Sequence, residues 1–125
     1  AKRVILLDVS GAFQSGLMND AKLKLEEKLQ MVQFLESDTE IVMNVPGDYV
    51  RSTDAIKGCL MDQVTSSVYW EKGIRKIGEQ ADVQFIEIGC GKTLAGMNRK
   101  IDKSFSTLSV EKLEDLDLLL SKGCV

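Results

Sequence analysis

Three groups of residues in this 125-residue chain could do chemistry. The first is Gly89-Cys90-Gly91-Lys92-Thr93, which sits between a strand-like and a helix-like segment. It has the look of the end of a phosphate-binding loop, where backbone N–H groups and a lysine cradle phosphates. The full motif needs a glycine five residues before Gly91, and that position is Ile86, inside the expected strand. The loop is too short to wrap a phosphate, and a tight turn that needs two glycines is the better reading. The second group, Ser10-Gly11-Ala12-Phe13-Gln14-Ser15, comes after the first expected strand, at the end where open α/β sheets hold ligands. The third is basic: Lys92, Arg99, Lys100 and Lys103 fall within twelve residues. They suit an acidic partner or a phosphate, but a solvated face is the better reading on charge pattern alone.

Composition removes several other chemistries. The chain has no histidine, which takes away the commonest general base and the commonest metal ligand. Cys59, Cys90 and Cys124 lie 31 and 34 residues apart with no CxxC pair, so no metal site is expected. Free thiols in a reducing cytoplasm are the expected state. Sixteen Lys and Arg against nineteen Asp and Glu give a net charge of -3, so nothing advertises nucleic acid as a partner. No apolar run approaches the roughly 20 residues of a membrane helix, and Ala1-Lys2-Arg3 leads into a strand-like run where a signal peptide would stand.

The elements that position these groups are set by hydrophobic pattern. Val4–Val9, Ile41–Val45 and Val83–Ile88 are short Val- and Ile-rich runs of strand type. From Ser15, a plausible N-cap, Leu17, Met18, Ala21, Leu25, Leu29 and Val32 recur at helical spacing opposite a lysine- and glutamate-rich face. Further helices are expected near Asp54–Gln63, with Ile56, Cys59 and Leu60 inward, and near Val68–Gln80, with Trp70, Ile74 and Ile77 inward. Pro46-Gly47-Asp48 reads as a turn. A helix carrying Leu94, Met97 and Ile101 and a last helix over Val110–Leu120 complete the order β-α-β-α-α-β-α-α. That order implies an α/β fold, a parallel sheet with helical crossovers. Three strands are few for a sheet covered on both faces, so residues 1–125 are expected to be a single segment of a larger α/β domain.

In order and spacing these segments resemble the C-terminal third of the malonyl-CoA:acyl-carrier-protein transacylases of bacterial fatty acid synthesis. Val9 to Ser15, continued by Leu17-Met18, is similar to the strand, loop and helix start that carry the family's catalytic His. Asn44-Val45 matches the next strand. Gln63-Val64-Thr65-Ser66-Ser67-Val68-Tyr69-Trp70 resembles a Gln-Leu-x-x-Pro-Val-x-Trp segment. The stretch from Phe85 to Met97 resembles a Glu-(Ile/Val)-Gly-Pro-Gly-Lys motif and its continuation. The resemblance runs from Val4 to Ile101.

The resemblance implies an acyltransferase domain of α/β-hydrolase-like type and a two-step reaction. A Ser on a nucleophile elbow, activated by the His, takes malonyl from coenzyme A and hands it to the carrier protein's phosphopantetheine thiol. Malonyl-CoA is then the substrate, no bound cofactor is expected, and the partners are acyl carrier protein, the coenzyme A thioester and the remainder of the domain. Gln14 occupies the position of the His, and Gln63 supplies the carbonyl that orients it. Phe13, Ser10 and Gly11 line the acyl pocket, with Phe13 resembling an aromatic that favours malonyl. Lys92, Arg99, Lys100 and Lys103 would meet the carrier protein. The chain departs from the pattern in having no Gly-x-Ser-x-Gly elbow, and Cys90 and Ser67 stand where the family has Pro. Most consequentially, Gln14 cannot take a proton near pH 7. Two readings stay open: the catalytically silent part of a transacylase, and a free-standing module that binds a carrier protein.

Overall fold

The structure is a computed structural model and describes residues 11–121 and 123. The strand expected over Val4–Val9, the pocket residue Ser10 and Cys124 lie outside the described residues. The chain divides into two compact units, Ala1–Gly73 and Ile74–Val125.

In the first unit, Ser15 caps a 3-10 turn over Gly16–Met18, its side chain accepting from the Leu17 N–H at 3.3 Å. Helix α1, Asn19–Gln30, starts directly after it, with Asp20 in its first turn and Lys28 in its last, each favourably placed against the helix dipole. Strands β1, Ile41–Met43, and β2, Asp48–Val50, form an antiparallel hairpin in which Val42 faces Tyr49. Only the start of the expected Ile41–Val45 strand is therefore extended. The expected turn is present, but it returns the chain as a strand, where a helical crossover was expected. Gly47 makes this possible: it lies in the left-handed region (φ 56°) and donates to the Met43 carbonyl at 2.9 Å. Helix α2, Thr53–Gln63, is capped by Ser52, whose hydroxyl accepts from the Ala55 N–H at 3.2 Å. Met43 is the unit's buried apolar side chain among the described residues.

Helix α3, Trp70–Ile77, runs from the end of the first unit into the second. Its Ile74 is buried, as the helical spacing predicts. The second unit then reads β3 (Phe85–Ile88), α4 (Thr93–Ile101), β4 (Thr107–Val110) and α5 (Leu113–Ser121). Strands β3 and β4 are parallel, Phe85 beside Thr107 and Ile88 beside Val110, so β3-α4-β4 is the helical crossover that the α/β reading requires. Two expectations need correction here. Thr107–Val110 is a strand, and the closing helix starts at Leu113, not at Val110. The short Thr-Leu-Ser-Val run alternates polar and apolar residues and finds a partner ladder in β3. In α4 the buried side chain is Asn98, whereas Leu94 and Met97 are partly exposed. The expected single sheet with three parallel strands is, among the described residues, one parallel pair and one antiparallel hairpin. Phe85 and Phe105 pack at 5.4 Å between ring centres, and Ile74 and Leu119 are the unit's buried apolar side chains among the described residues.

Candidate functional site

Gln14 ends the loop that leads into α1, in the left-handed region at φ 58°. A side chain bearing a Cβ meets steric resistance there of about 1–2 kcal/mol, and such strain concentrates where a side chain must be aimed. Ser15 stabilises the bend from both sides, donating its hydroxyl to the Ala12 carbonyl at 2.6 Å while its own carbonyl accepts from the Met18 N–H at 3.0 Å. Gln14 and Phe13 are exposed, and Gly11 sits under the Phe13 ring, where an added Cβ would meet it at 3.4 Å. Phe13, Gly11 and Gln14 thus share one loop, with Phe13 59% exposed.

Gln63 is the last residue of α2 and is half-buried. Its side-chain oxygen accepts from the Asn44 amide nitrogen at 3.1 Å. The chain then tightens. Val64 donates to the Met61 carbonyl at 3.3 Å, and Thr65 and Ser66 both donate to Asp62, at 3.1 and 2.9 Å. None of these three N–H groups turns to the Gln63 carbonyl, so among the described residues that oxygen is bypassed by the backbone donors that follow it. The polar stretch Asp62–Ser67 therefore does more than cap α2. Lys22 of α1 reaches Asp62 at 2.7 Å, tying the helix after the Gln14 loop to the turn that carries Gln63.

In the second unit, Gly89 (φ 138°) and Gly91 (φ 85°) make the tight turn that the paired glycines predict. Two of the N–H donors that a phosphate would need at the start of α4 are already taken. Glu87 of β3 accepts from the Leu94 and Ala95 N–H groups, both at 2.9 Å, and from the Ser109 hydroxyl of β4 at 3.4 Å. These bonds, chiefly the one from Ala95, hold its carboxyl below the usual range. An internal carboxylate thus fills the anion position at this helix N-terminus, which is a physical reason against nucleotide binding at Gly89–Thr93. Sequence reasoning passed over Glu87. The signal was present: a lone carboxylate in an apolar strand, just ahead of a helix start, must find N–H donors if it is to be buried.

The four cations are exposed but do not form one cluster. Lys92 precedes the first turn of α4, whereas Arg99 and Lys100 occupy its last turn and Lys103 lies beyond it. Eight residues of helix separate Lys92 from Lys100 by about 12 Å. Lys92 also acts electrostatically on Asp115, whose carboxyl is held low mainly by the Lys112 and Glu111 N–H groups. Cys59 and Cys90 are free thiols. Among the described residues no group of three or more His, Cys, Asp or Glu could hold a metal, and no helix is long and apolar enough to cross a membrane.

No protein-family model matches the chain. Individual proteins do. The malonyl CoA-acyl carrier protein transacylase of Bacillus subtilis is 37% identical over 120 residues, which is 96% of this chain and 38% of that protein. A crystal structure of a malonyl transacylase from Streptococcus pneumoniae superposes with a TM-score of 0.88 at 36% identity, covering 98% of this chain and 40% of that one. A malonyl-transacylase in complex with its type II polyketide acyl-carrier protein superposes at 0.87 with 30% identity, over 97% and 39% of the two chains. The chain thus spans about two fifths of the length of the relatives it matches. By sequence and by fold the chain is similar to the C-terminal part of malonyl-CoA:acyl-carrier-protein transacylases.

Proposed function

We propose that residues 1–125 form the C-terminal segment of an acyltransferase domain that moves malonyl from coenzyme A to the phosphopantetheine thiol of an acyl carrier protein, in the cytoplasm and in the service of fatty acid synthesis. The segment holds the position of the catalytic base at Gln14 and its orienting carbonyl at Gln63. The nucleophilic Ser and the groups that hold the oxyanion and the malonyl carboxylate would come from the remainder of the domain. In the reaction the Ser oxygen attacks the thioester carbonyl as the base takes its proton, and the coenzyme A thiol departs. The carrier thiol then attacks the malonyl ester and releases the Ser.

The observation that carries this reading is the near-complete match to transacylases, from 93% to 96% of the chain at 29% to 37% identity. Gln14, held at φ 58° by the Ser15 bonds, suits an aimed side chain, and the bypassed Gln63 carbonyl suits a waiting acceptor. A Gln amide donates a hydrogen bond but takes no proton from Ser near pH 7, so the chain as it stands lacks the base. Phe13, Gly11 and Ser10 would line the acyl pocket once the rest of the domain covers the loop. Lys92, Arg99, Lys100 and Lys103 would attract an acidic carrier protein from both ends of α4. Gln14 itself favours a second reading, a catalytically inert module that binds the carrier protein through those cations.

The test is a chimera in which this chain replaces the matching part of the Bacillus subtilis relative, assayed for malonyl transfer to acyl carrier protein. Gln14→His is expected to raise transfer over the unchanged chimera by about 10²- to 10⁴-fold, the usual range for a positioned general base. A folded Gln14→His chimera that loads no malonyl overturns the assignment of the base position. Carrier-protein binding by that inactive chimera at low salt would then favour the inert module.

A further inference from the structure

We propose that Asn44 is a positioning residue for the transfer reaction, an inference that rests on the reading of Gln63 as the source of the orienting carbonyl. Asn44 comes directly after β1 and is half-buried. Its amide nitrogen donates to the Gln63 side-chain oxygen at 3.1 Å, and its backbone carbonyl accepts from the Tyr69 N–H at 2.8 Å. One residue therefore grips both ends of the segment from Gln63 to Tyr69. That segment needs an outside anchor. It begins where α2 ends and contains no regular element before Trp70. The N–H groups of Val64, Thr65 and Ser66 fold back on Met61 and Asp62, so the Gln63 carbonyl is fixed only as well as the residue that bears it.

The anchor is itself held. The turn after Asn44 is closed by the Gly47 N–H on the Met43 carbonyl at 2.9 Å, and the Lys72 ammonium donates to the Pro46 carbonyl at 2.6 Å. Met43, beside Asn44, is buried. Rotation of the Gln63 side chain would break its bond to Asn44, so the Gln63 backbone is confined by a contact that the base never makes. A carbonyl aimed in this way fixes which imidazole nitrogen carries the proton and which faces the nucleophile.

The experiment uses the Gln14→His chimera and two further substitutions, Asn44→Leu and Asn44→Asp. Leu has similar volume and no polar atom. Asp restores a bond once the Gln63 amide turns to present its nitrogen. Asn44→Leu is expected to lower kcat by about ten- to a hundredfold, the range for a small misplacement of a reacting group, with KM for malonyl-CoA changed less than about twofold under the same principle of positioning without binding. The acid limb of its pH profile should move to lower pH, because an imidazolium that loses a carbonyl acceptor gives up its proton more readily. Asn44→Asp should recover most of the lost kcat. A folded Asn44→Leu protein with unchanged kcat and an unmoved acid limb overturns the inference alone. A folded but inactive Gln14→His chimera overturns the base assignment, and this inference with it.

Discussion

The two units of the chain settle their polar groups in opposite ways. In the second, Glu87 and Asn98 are 8% and 3% exposed, and both are bonded within the β3-α4-β4 crossover. Glu87 joins β3 to the start of α4 and to Ser109, while the Asn98 amide donates to the Thr107 hydroxyl at 3.1 Å. In the first unit the polar contacts around the candidate site are half-buried or exposed: Asn44 with Gln63, and Lys22 with Asp62. Leu17, 84% exposed and three residues past Gln14, faces water. Among the described residues, the Glu87 and Asn98 bonds close within the β3-α4-β4 crossover. The first leaves the candidate residues Phe13 and Gln14 exposed and Gln63 half-buried, as the proposed reading of a site finished by the rest of a domain expects.

The largest effect expected from this contrast is at Glu87. Glu87→Gln keeps one acceptor oxygen, loses the charge and turns an NH₂ group toward backbone donors. Amide exchange at Leu94 and Ala95 should accelerate by about ten- to a hundredfold, the worth of hydrogen bonds to a charged acceptor, while the Gly47 N–H in the other unit keeps its rate. The pH dependence has a definite sign. Glu87, Asp102 and Asp115 all have lowered carboxyl pKa values, Glu87 and Asp115 through backbone N–H donors and Asp102 through the Ser104 hydroxyl and N–H. A depressed folded pKa gives stability that is full above the unfolded value, about 4, and is lost as pH falls through the folded value. Acid should therefore free the start of α4, after allowance for intrinsic exchange rates. The effect should be largely absent in Glu87→Gln; if it persists there, Glu87 is not what holds the helix.

Asn98 comes next. Truncation to Ala leaves the Thr107 hydroxyl facing a gap inside the crossover. Asn98→Ala is expected to cost about 1–3 kcal/mol, the penalty for a buried hydrogen-bonding group left without its partner. Denaturant unfolding of the chain measures it. A cost below about 0.5 kcal/mol, the range of ordinary surface changes, would mean that the buried network of the second unit contributes little, and the contrast would fail.

Legibility in the sequence divides along the line between local and long-range chemistry. The Gly89–Gly91 turn, the inward Ile74 and the Ser15 cap were legible because each depends on local chemistry: a positive φ, a helical repeat, a side chain reaching the next turn. The order of motifs was enough to indicate the family. Strand β4 was missed because Thr107–Val110 is too short to show a period by itself and gains its identity from pairing with β3. The β1–β2 hairpin was missed because Pro46-Gly47-Asp48 marks a turn without deciding between a strand and a helix after it. Asn98 was hidden for a related reason. Helical spacing puts Leu94 and Met97 forward as the inner residues, but a polar side chain goes inside when a neighbouring strand offers it a hydroxyl. The Asn44–Gln63 contact joins residues 19 apart, and neither residue type announces the other.

The smallest expected effect makes the sharpest comparison. Lys22 and Asp62 meet at 2.7 Å with side chains 29% and 55% exposed, so water screens the pair and competes for both charges. Lys22→Ala should cost about 0.2–1 kcal/mol, as exposed ion pairs do, and the cost should shrink in high salt. The bond nonetheless ties α1 to the residue before Gln63, and its geometric role can exceed its energetic one. In the Gln14→His chimera, Lys22→Ala should therefore lower kcat more than its stability cost suggests, by a few-fold, while leaving the fold intact. If the variant instead unfolds as readily as Asn98→Ala, the first unit depends on its surface contact as strongly as the second depends on its buried one. The difference between an enclosed network and an open site would then lie in exposure alone and not in energy.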